Sequence, residues 1–310
     1  MSQTIATFGQ ITDQGFIPAN GSPSPSDQGE ARTVLSQFTL LQIDGPDSEK
    51  FLQGQLTCDM QSVTSEQWQA GACCDAKGRM IANFIAARSD TGFILRLPSF
   101  QAEVLVNHLK KYAVFFKATM SVTENLRIIG ELNTASGDKS VRQGDVRQLN
   151  WPDGRCEYWV PDALTDDYLS NYPLVSESAW HAADVSSGWL WVQPLSSAAW
   201  IPQYCDWQAH DGISFSKGCY TGQEVVARLQ YLGKSKRHLY RVEPATDLPD
   251  IMADVLINGK AKGELATRVC LDGKFIGLAV VSSDEETLEG ECGDRKITLR
   301  RVFYTEDERG

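Results

Sequence analysis

One stretch constrains this chain more than any other. Residues Lys217 to Glu224 read K-G-C-Y-T-G-Q-E. Just before it, Ile213, Ser214 and Phe215 form a short apolar run of strand character. Just after it, Val225, Val226 and Leu229 recur at helical spacing. Thr221 followed three residues later by Glu224 has the form of a capping box, with Thr221 as N-cap and Glu224 as its N3 partner. Gly233 marks the end of the helix. The spacing therefore predicts a strand, a tight turn bearing Lys217, Cys219 and Tyr220, and a helix.

That placement has chemical consequences. A helix N-terminus presents free N–H groups and partial positive charge, which stabilise anions. A thiol there, with Lys217 two residues away, ionises more readily than a free cysteine. Gly218 and Gly222 leave room for a ligand or a second backbone to approach. The expectation is a reactive or ligand-positioning Cys219 supported by Lys217; the alternative is a structural thiol buried at a helix start. From Lys217 to Arg241 the chain carries Lys217, Arg228, Lys234, Lys236, Arg237 and Arg241 against Glu224, six minus one, a local +5. Such a run suits an anionic ligand tail, an RNA backbone or an acidic partner, or else a solvated helix end.

Composition bounds the rest. The chain has 310 residues, 42% of them hydrophobic and 22% charged, as in a globular protein with two or three domains. A net charge of −11 argues against broad binding to nucleic acid or anionic membranes. The first thirty residues hold no Lys or Arg and no sustained apolar core, so no secretory signal is expected. The eight cysteines, Cys58, Cys73, Cys74, Cys156, Cys205, Cys219, Cys270 and Cys292, include no Cys-x-x-Cys pair. They read as reduced thiols of a cytoplasmic protein. The four histidines, His108, His181, His210 and His238, share no ligand spacing, and no metal site is expected.

Along the chain, residues 1–32 are polar, and Gly21 to Ser26 reads as a flexible leader. Val34, Phe38, Leu40 and Ile43 predict a strand or strand pair. Gly45-Pro46 opens a helix. Ala70 to Ala87 reads as a hairpin turning at Asp75-Ala76-Lys77-Gly78, and Ser99 is the expected cap of a helix bearing Leu105 and Leu109. Residues 121–161 are β-rich, with a short helix near Pro161 to Leu169. After Arg241 the chain turns to short strands, with Asn258-Gly259 and Asp272-Gly273 as hairpin turns, predicting an all-β C-terminal domain.

The string K-G-C-Y-T-G-Q-E-V-V-A-R resembles the signature of the YgfZ family of folate-binding, tRNA-modification and iron–sulfur maintenance proteins. The resemblance extends to Asp47–Asp59 (D-S-E-K-F-L-Q-G-Q-L-T-C-D), Cys74–Arg79 (C-D-A-K-G-R) and Lys111–Lys117 (K-Y-A-V-F-F-K). It implies an α+β fold: ferredoxin-like units in a ring around a central channel, like the T-protein of the glycine cleavage system, with a C-terminal β-barrel. On that frame, residues 1–32 are a leader. Residues 33–120 with 175–235 form the folate-binding domain, 121–174 an inserted subdomain and 236–310 the barrel domain. The resemblance also implies tetrahydrofolate or a derivative as ligand, held between Phe38 and Trp180, with Lys217, Gly218, Cys219, Tyr220, Thr221, Gly222, Gln223 and Glu224 as the signature. Implied partners are iron–sulfur enzymes, including those that modify tRNA; direct contact with tRNA is left open, and no membrane is involved.

Two departures bear on activity. T-proteins carry adjacent aspartates where this chain has Ala82 and Asn83, and an amide cannot act as a carboxylate base. Relatives place a glutamate near the pterin where this chain has Ser186, with Asp184 as the nearest substitute carboxylate. The leading expectation is therefore an accessory protein rather than an enzyme. The alternatives are a folate-dependent one-carbon transferase and a non-catalytic scaffold with a vestigial channel.

Overall fold

At the hairpin turns residue identity dictates backbone most directly. Asn258 and Gly259 sit at φ +52° and +72°, Asp272 and Gly273 at +50° and +75°. These left-handed pairs close two-residue turns whose twist matches the flanking strands. The computed structural model of the chain describes residues 3–21, 29–134, 138–142, 144, 146–233 and 235–304.

In chain order the elements are α1 (Gln3–Phe8), β1 (Gly9–Thr12), β2 (Gly15–Pro18), β3 (Ala31–Val34), β4 (Phe38–Asp44), α2 (Ser48–Gln53), β5 (Gln69–Cys74), β6 (Met80–Arg88), β7 (Gly92–Pro98) and α3 (Ser99–Ala113). Then come β8 (Thr119–Val122), β9 (Leu126–Leu132), β10 (Val141–Arg142), β11 (Arg147–Asn150), β12 (Cys156–Pro161), α4 (Thr165–Leu169), α5 (Glu177–Ser187) and α6 (Gln223–Leu232). The last six strands are β13 (His238–Ala245), β14 (Asp254–Ile257), β15 (Lys260–Leu271), β16 (Lys274–Val281), β17 (Thr287–Cys292) and β18 (Arg295–Arg301). No helix among the described residues is long and apolar enough to cross a membrane.

The chain divides into two compact units: Met1–Phe51, Met60–Gln69 and Phe84–His181 form the first, and Leu52–Asp59, Ala70–Asn83 and Ala182–Gly310 the second. In the first, β10, β11, β12, β9 and β3 make a five-stranded antiparallel sheet. The end of β6 joins β7, β4 and β8 in a second antiparallel sheet. Helix α3 buries Ala102, Leu105 and Leu109 on one face. In the second unit, β13, β16, β15, β14, β17 and β18 close a barrel, filled by Tyr240, Val242, Leu265, Ala279, Val281, Leu288 and Leu299. The mixed α+β class and the C-terminal barrel are as predicted from the sequence.

Several local expectations are corrected. The leader is partly structured: α1 and the β1–β2 hairpin bury Ile5 and Phe16 against Val34, Ile129, Val160 and Leu169, and the Phe16 N–H donates to Glu177 Oε2 at 3.0 Å. The Ser/Pro run at 22–26 lies outside the described residues. Trp180 stands on helix α5. Ser99 is the first residue of α3, and Pro98 takes the N-cap.

Candidate functional site

The signature loop is built by alternating anchors. Lys217 and Tyr220 are buried, while Gly218 and Cys219 between them are exposed. The Lys217 ammonium donates to the carbonyl oxygens of Leu56 at 2.8 Å and Cys58 at 2.7 Å, and lies 5.3 Å from the Tyr220 ring centroid. Burial pushes the Lys217 pKa down to about 8, against the opposing pull of Cys58 and Asp59. A neutral amine keeps two N–H donors, enough for both carbonyls. Lys217 is thus committed to pinning the loop onto the 54–59 segment.

Two further contacts extend that seam. The Thr221 N–H donates to Gly54 O at 3.3 Å, and its hydroxyl to Gln55 Oε1 at 3.2 Å. This overturns the capping box. The N-cap of α6 is Gly222, at φ +85°, with no side-chain cap bond. The Thr221 hydroxyl is engaged by Gln55, and exposed Glu224 pairs with Arg228 at 3.2 Å instead. Gly222 is required by space as well as by φ: a Cβ there would lie 2.4 Å from Asp75 O and 2.9 Å from the Gly78 Cα. Gly78, at φ +72°, meets Val225 in turn. Asp75 Oδ1 shapes its own turn by accepting from the N–H groups of Lys77 and Arg79, each at 2.9 Å. The 54–59, 74–79 and 217–224 segments therefore meet in one place within the second unit.

Beneath them the 54–59 segment is fixed by Thr57. Its hydroxyl donates to Gly212 O at 2.6 Å and accepts from Ala72 N at 2.9 Å. Identity gave no hint of the Leu56 and Cys58 carbonyls as the lysine's partners, since main-chain groups are common to every residue. Burial pushes the Cys58 thiol up to about 11 and Cys73 up to about 12. It also raises Cys74 and Cys205. Among the eight cysteines only Cys219 and Cys270 are exposed, so Cys219 alone joins exposure to a braced loop.

Ala82 and Asn83 are both fully buried. Asn83 Nδ2 donates to Leu190 O at 2.7 Å, and its Oδ1 accepts from Val192 N at 2.9 Å. The amide mimics a strand neighbour for residues 190–192. A carboxylate could accept from Val192 but could not donate to Leu190. Asp184 is likewise engaged: its buried carboxylate accepts from Trp191 Nε1 at 2.9 Å. The Ser186 hydroxyl donates back to Ala182 O at 2.9 Å.

Phe38 and Trp180 both lie in the first unit, and their faces are covered. The Arg96 guanidinium lies 3.5 Å from the Phe38 centroid, and the His181 ring 5.5 Å away. Trp180 has no exposed surface. It meets Trp151 edge-on at 5.6 Å, lies under Arg155 at 4.3 Å and packs on Gly130. Arg96 also approaches Trp151, at 5.5 Å, so the two predicted rings are joined through Arg96 and Trp151, which sequence reasoning had not singled out. The cavity beside Phe38 holds about 130 Å³ and is lined by Val34, Leu35, Leu40 and Ile128 among others, without Trp180. That is below the roughly 300 Å³ at which small-molecule pockets begin. As arranged, these two side chains do not fit a flat ring between them. The one polar atom of the pair, Trp180 Nε1, is buried without a hydrogen-bond partner.

The basic run is dispersed: Arg237 pairs with Glu264 at 3.3 Å, Arg241 donates to Ser186 O at 3.4 Å, and Arg228 pairs with Glu224. Lys234 lies outside the described residues.

No family model matches the chain. Individual relatives do. It is 31% identical over 287 residues to tRNA-modifying protein YgfZ of Colwellia psychrerythraea, covering 81% of this chain and 85% of that one. It is 33% identical over 279 residues to the protein of the same name from Klebsiella pneumoniae, covering 82% and 85%. Against the Escherichia coli protein the figures are 32%, 82% and 86%. In three dimensions it resembles the glycine cleavage system aminomethyltransferase T of Bartonella henselae, with a TM-score of 0.64 over 90% of this chain and 87% of that one at 15% identity, a likeness of fold alone. Kinship at that identity, over most of the length of each relative, makes this chain a member of the YgfZ family.

Proposed function

We propose that this chain is a cytoplasmic folate-binding accessory protein that supports iron–sulfur enzymes, among them those that modify tRNA, and that Cys219 is its working thiol. The observation that carries this reading is the exposure of Cys219 on a loop held from both sides, by Lys217 and Tyr220 before α6 and by Gly222 against the Asp75 turn. A braced loop that offers its thiol to solvent between buried Lys217 and Tyr220 suits a thiol that meets a partner molecule. Membership of a family named for tRNA modification supports the setting.

The folate part rests on the T-protein-like fold and the family. Folate would supply a one-carbon carrier. No step is assigned to it, because Phe38 and Trp180 leave no slot between them. Trp180 Nε1 is the one side-chain polar atom of that pair, and it is buried without a hydrogen-bond partner. The engaged Asn83 amide and the absence of a carboxylate at Ala82 favour the accessory reading over a T-protein-type transferase. The test is titration of the chain with tetrahydrofolate, read by calorimetry and by tryptophan fluorescence, alongside Trp180→Phe. Binding that weakens in the variant is the expected outcome. An absence of heat with the intact chain overturns the folate assignment and leaves Cys219 as a separate question.

A further inference from the structure

Helix α3 buries Gln101, Ala102, Leu105 and Leu109. Its outward side carries Ser99, Glu103, Asn107, Lys110 and Lys111, with two large apolar side chains set among them. Phe100 is 40% exposed and Val104 45%, and just past the helix Val114 is 75% and Phe115 84% exposed. Phe100 and Val104 stand one turn apart on α3; Val114 and Phe115 follow its last residue, Ala113, and Lys110 and Lys111 lie between the two pairs in the chain. Phe115 is the most exposed large apolar side chain among the described residues.

Its neighbours hold it out. Phe116 turns inward against Phe51, ring centroids 5.3 Å apart, and its N–H donates to Ala113 O at 2.9 Å. The Lys117 N–H donates to Asp47 Oδ2 at 2.8 Å, and Lys117 O accepts from Asp47 N at 3.4 Å. Val114 and Phe115 are thus an anchored tip. Lys110, Lys111 and Lys117 are exposed around it. Residues 99–117 carry these three lysines against Glu103, three minus one, a net +2 in a chain of −11. The Asp47 carboxylate beside the tip is already occupied by the Lys117 N–H.

Single exposed apolar residues are ordinary, but two adjacent ones held out on an anchored tip, with Phe100 and Val104 on the helix that leads to it, mark a contact surface. We propose that α3 and the Val114–Phe115 tip dock a partner protein through an apolar cleft rimmed with carboxylates. Phe115 is the anchor that fills the cleft, and the lysines meet the rim and set its orientation. A second copy of this chain in a two-fold contact would bring the lysines against themselves. Unpaired RNA would find only phenylalanine rings to stack on, with the two valines idle. A polyanion or an anionic bilayer would also feel the −11 of the whole chain. The inference rests on the accessory reading only in expecting a protein partner; it involves neither Cys219 nor folate.

The test places a photo-crosslinking benzoylphenylalanine at Phe115 in the full chain in cells, followed by mass spectrometry of the adduct. The expected adduct is a different protein, crosslinked at a segment where apolar residues are flanked by Asp or Glu. Its yield falls about tenfold in the K110E/K111E/K117E variant, since three rim pairs of a few tenths of a kcal/mol each add to that ratio. Lys110 and Lys111 sit in the last turn of α3, where glutamates oppose the helix dipole, so the variant's thermal unfolding midpoint is measured in parallel and yields are compared well below it. An adduct to the chain itself, to RNA or to lipid, no adduct at all, or a yield indifferent to charge reversal overturns the proposal. Complementation through Cys219, scored separately, distinguishes failure here from failure of the function proposed above.

Discussion

Lys217 and Asn83 show how far a residue's type leaves its role undecided. In the sequence Lys217 stood as an activator of the neighbouring thiol; in the fold its ammonium is bound by the Leu56 and Cys58 carbonyls. Burial of the lysine was not legible, because the groups that compensate it are main-chain atoms more than a hundred residues away. The exposure of Cys219 was legible only as one of two options, and geometry selects it. Asn83 stood as a missing catalytic acid and is a structural amide with both ends engaged. Restoring the acid has a defined expected effect. Asn83→Asp leaves Leu190 O without its donor in a fully buried site, and unfolding free energy falls by about 3 kcal/mol. Urea denaturation checks this; an unchanged midpoint contradicts the role.

At the scale of elements, the hairpins were the most legible part, since Asn-Gly and Asp-Gly admit few backbone geometries. Helix α6 was read correctly as to its existence and its C-terminal end at Gly233, but not as to its cap. The capping box failed because Gln55, distant in sequence, takes the Thr221 hydroxyl. Gly222 then starts the helix from a left-handed conformation that only close packing on the Asp75 turn explains. Gly222→Ala is expected to destabilise the chain by at least about 2 kcal/mol, from the positive φ together with the clash on Asp75 O. The leader was misread because its average composition hid the alternation that places Phe16 inside and Ile17 less so.

For the molecule as a whole, fold class followed from patterning and resemblance together, whereas the pairing of β9 with β3, almost a hundred residues earlier, did not, because no local signal names so distant a partner. Stability against alkali is also a property of the whole chain. Six buried thiols have raised pKa values, Cys58, Cys156 and Cys292 to about 11 and Cys73 to about 12, against 9.0 when free. The folded chain holds these protons more tightly than the unfolded one. That stabilisation is complete below pH 9 and is lost as pH rises towards 11. Lys217, lowered to about 8 from 10.5, works the other way between those two values, but it is one group against six. The urea midpoint under reducing conditions is therefore expected to fall between pH 9 and pH 10.5, and a rise over that window would contradict the burial of the thiols. The most direct test of the central claim lies in cells lacking the family protein, supplied with this chain or its Cys219→Ser variant, by mass-spectrometric profiling of tRNA nucleosides. The expected result is that the intact chain restores the modified nucleosides while the variant, equally abundant and equally stable, does not; full restoration by the variant would contradict any role for that thiol.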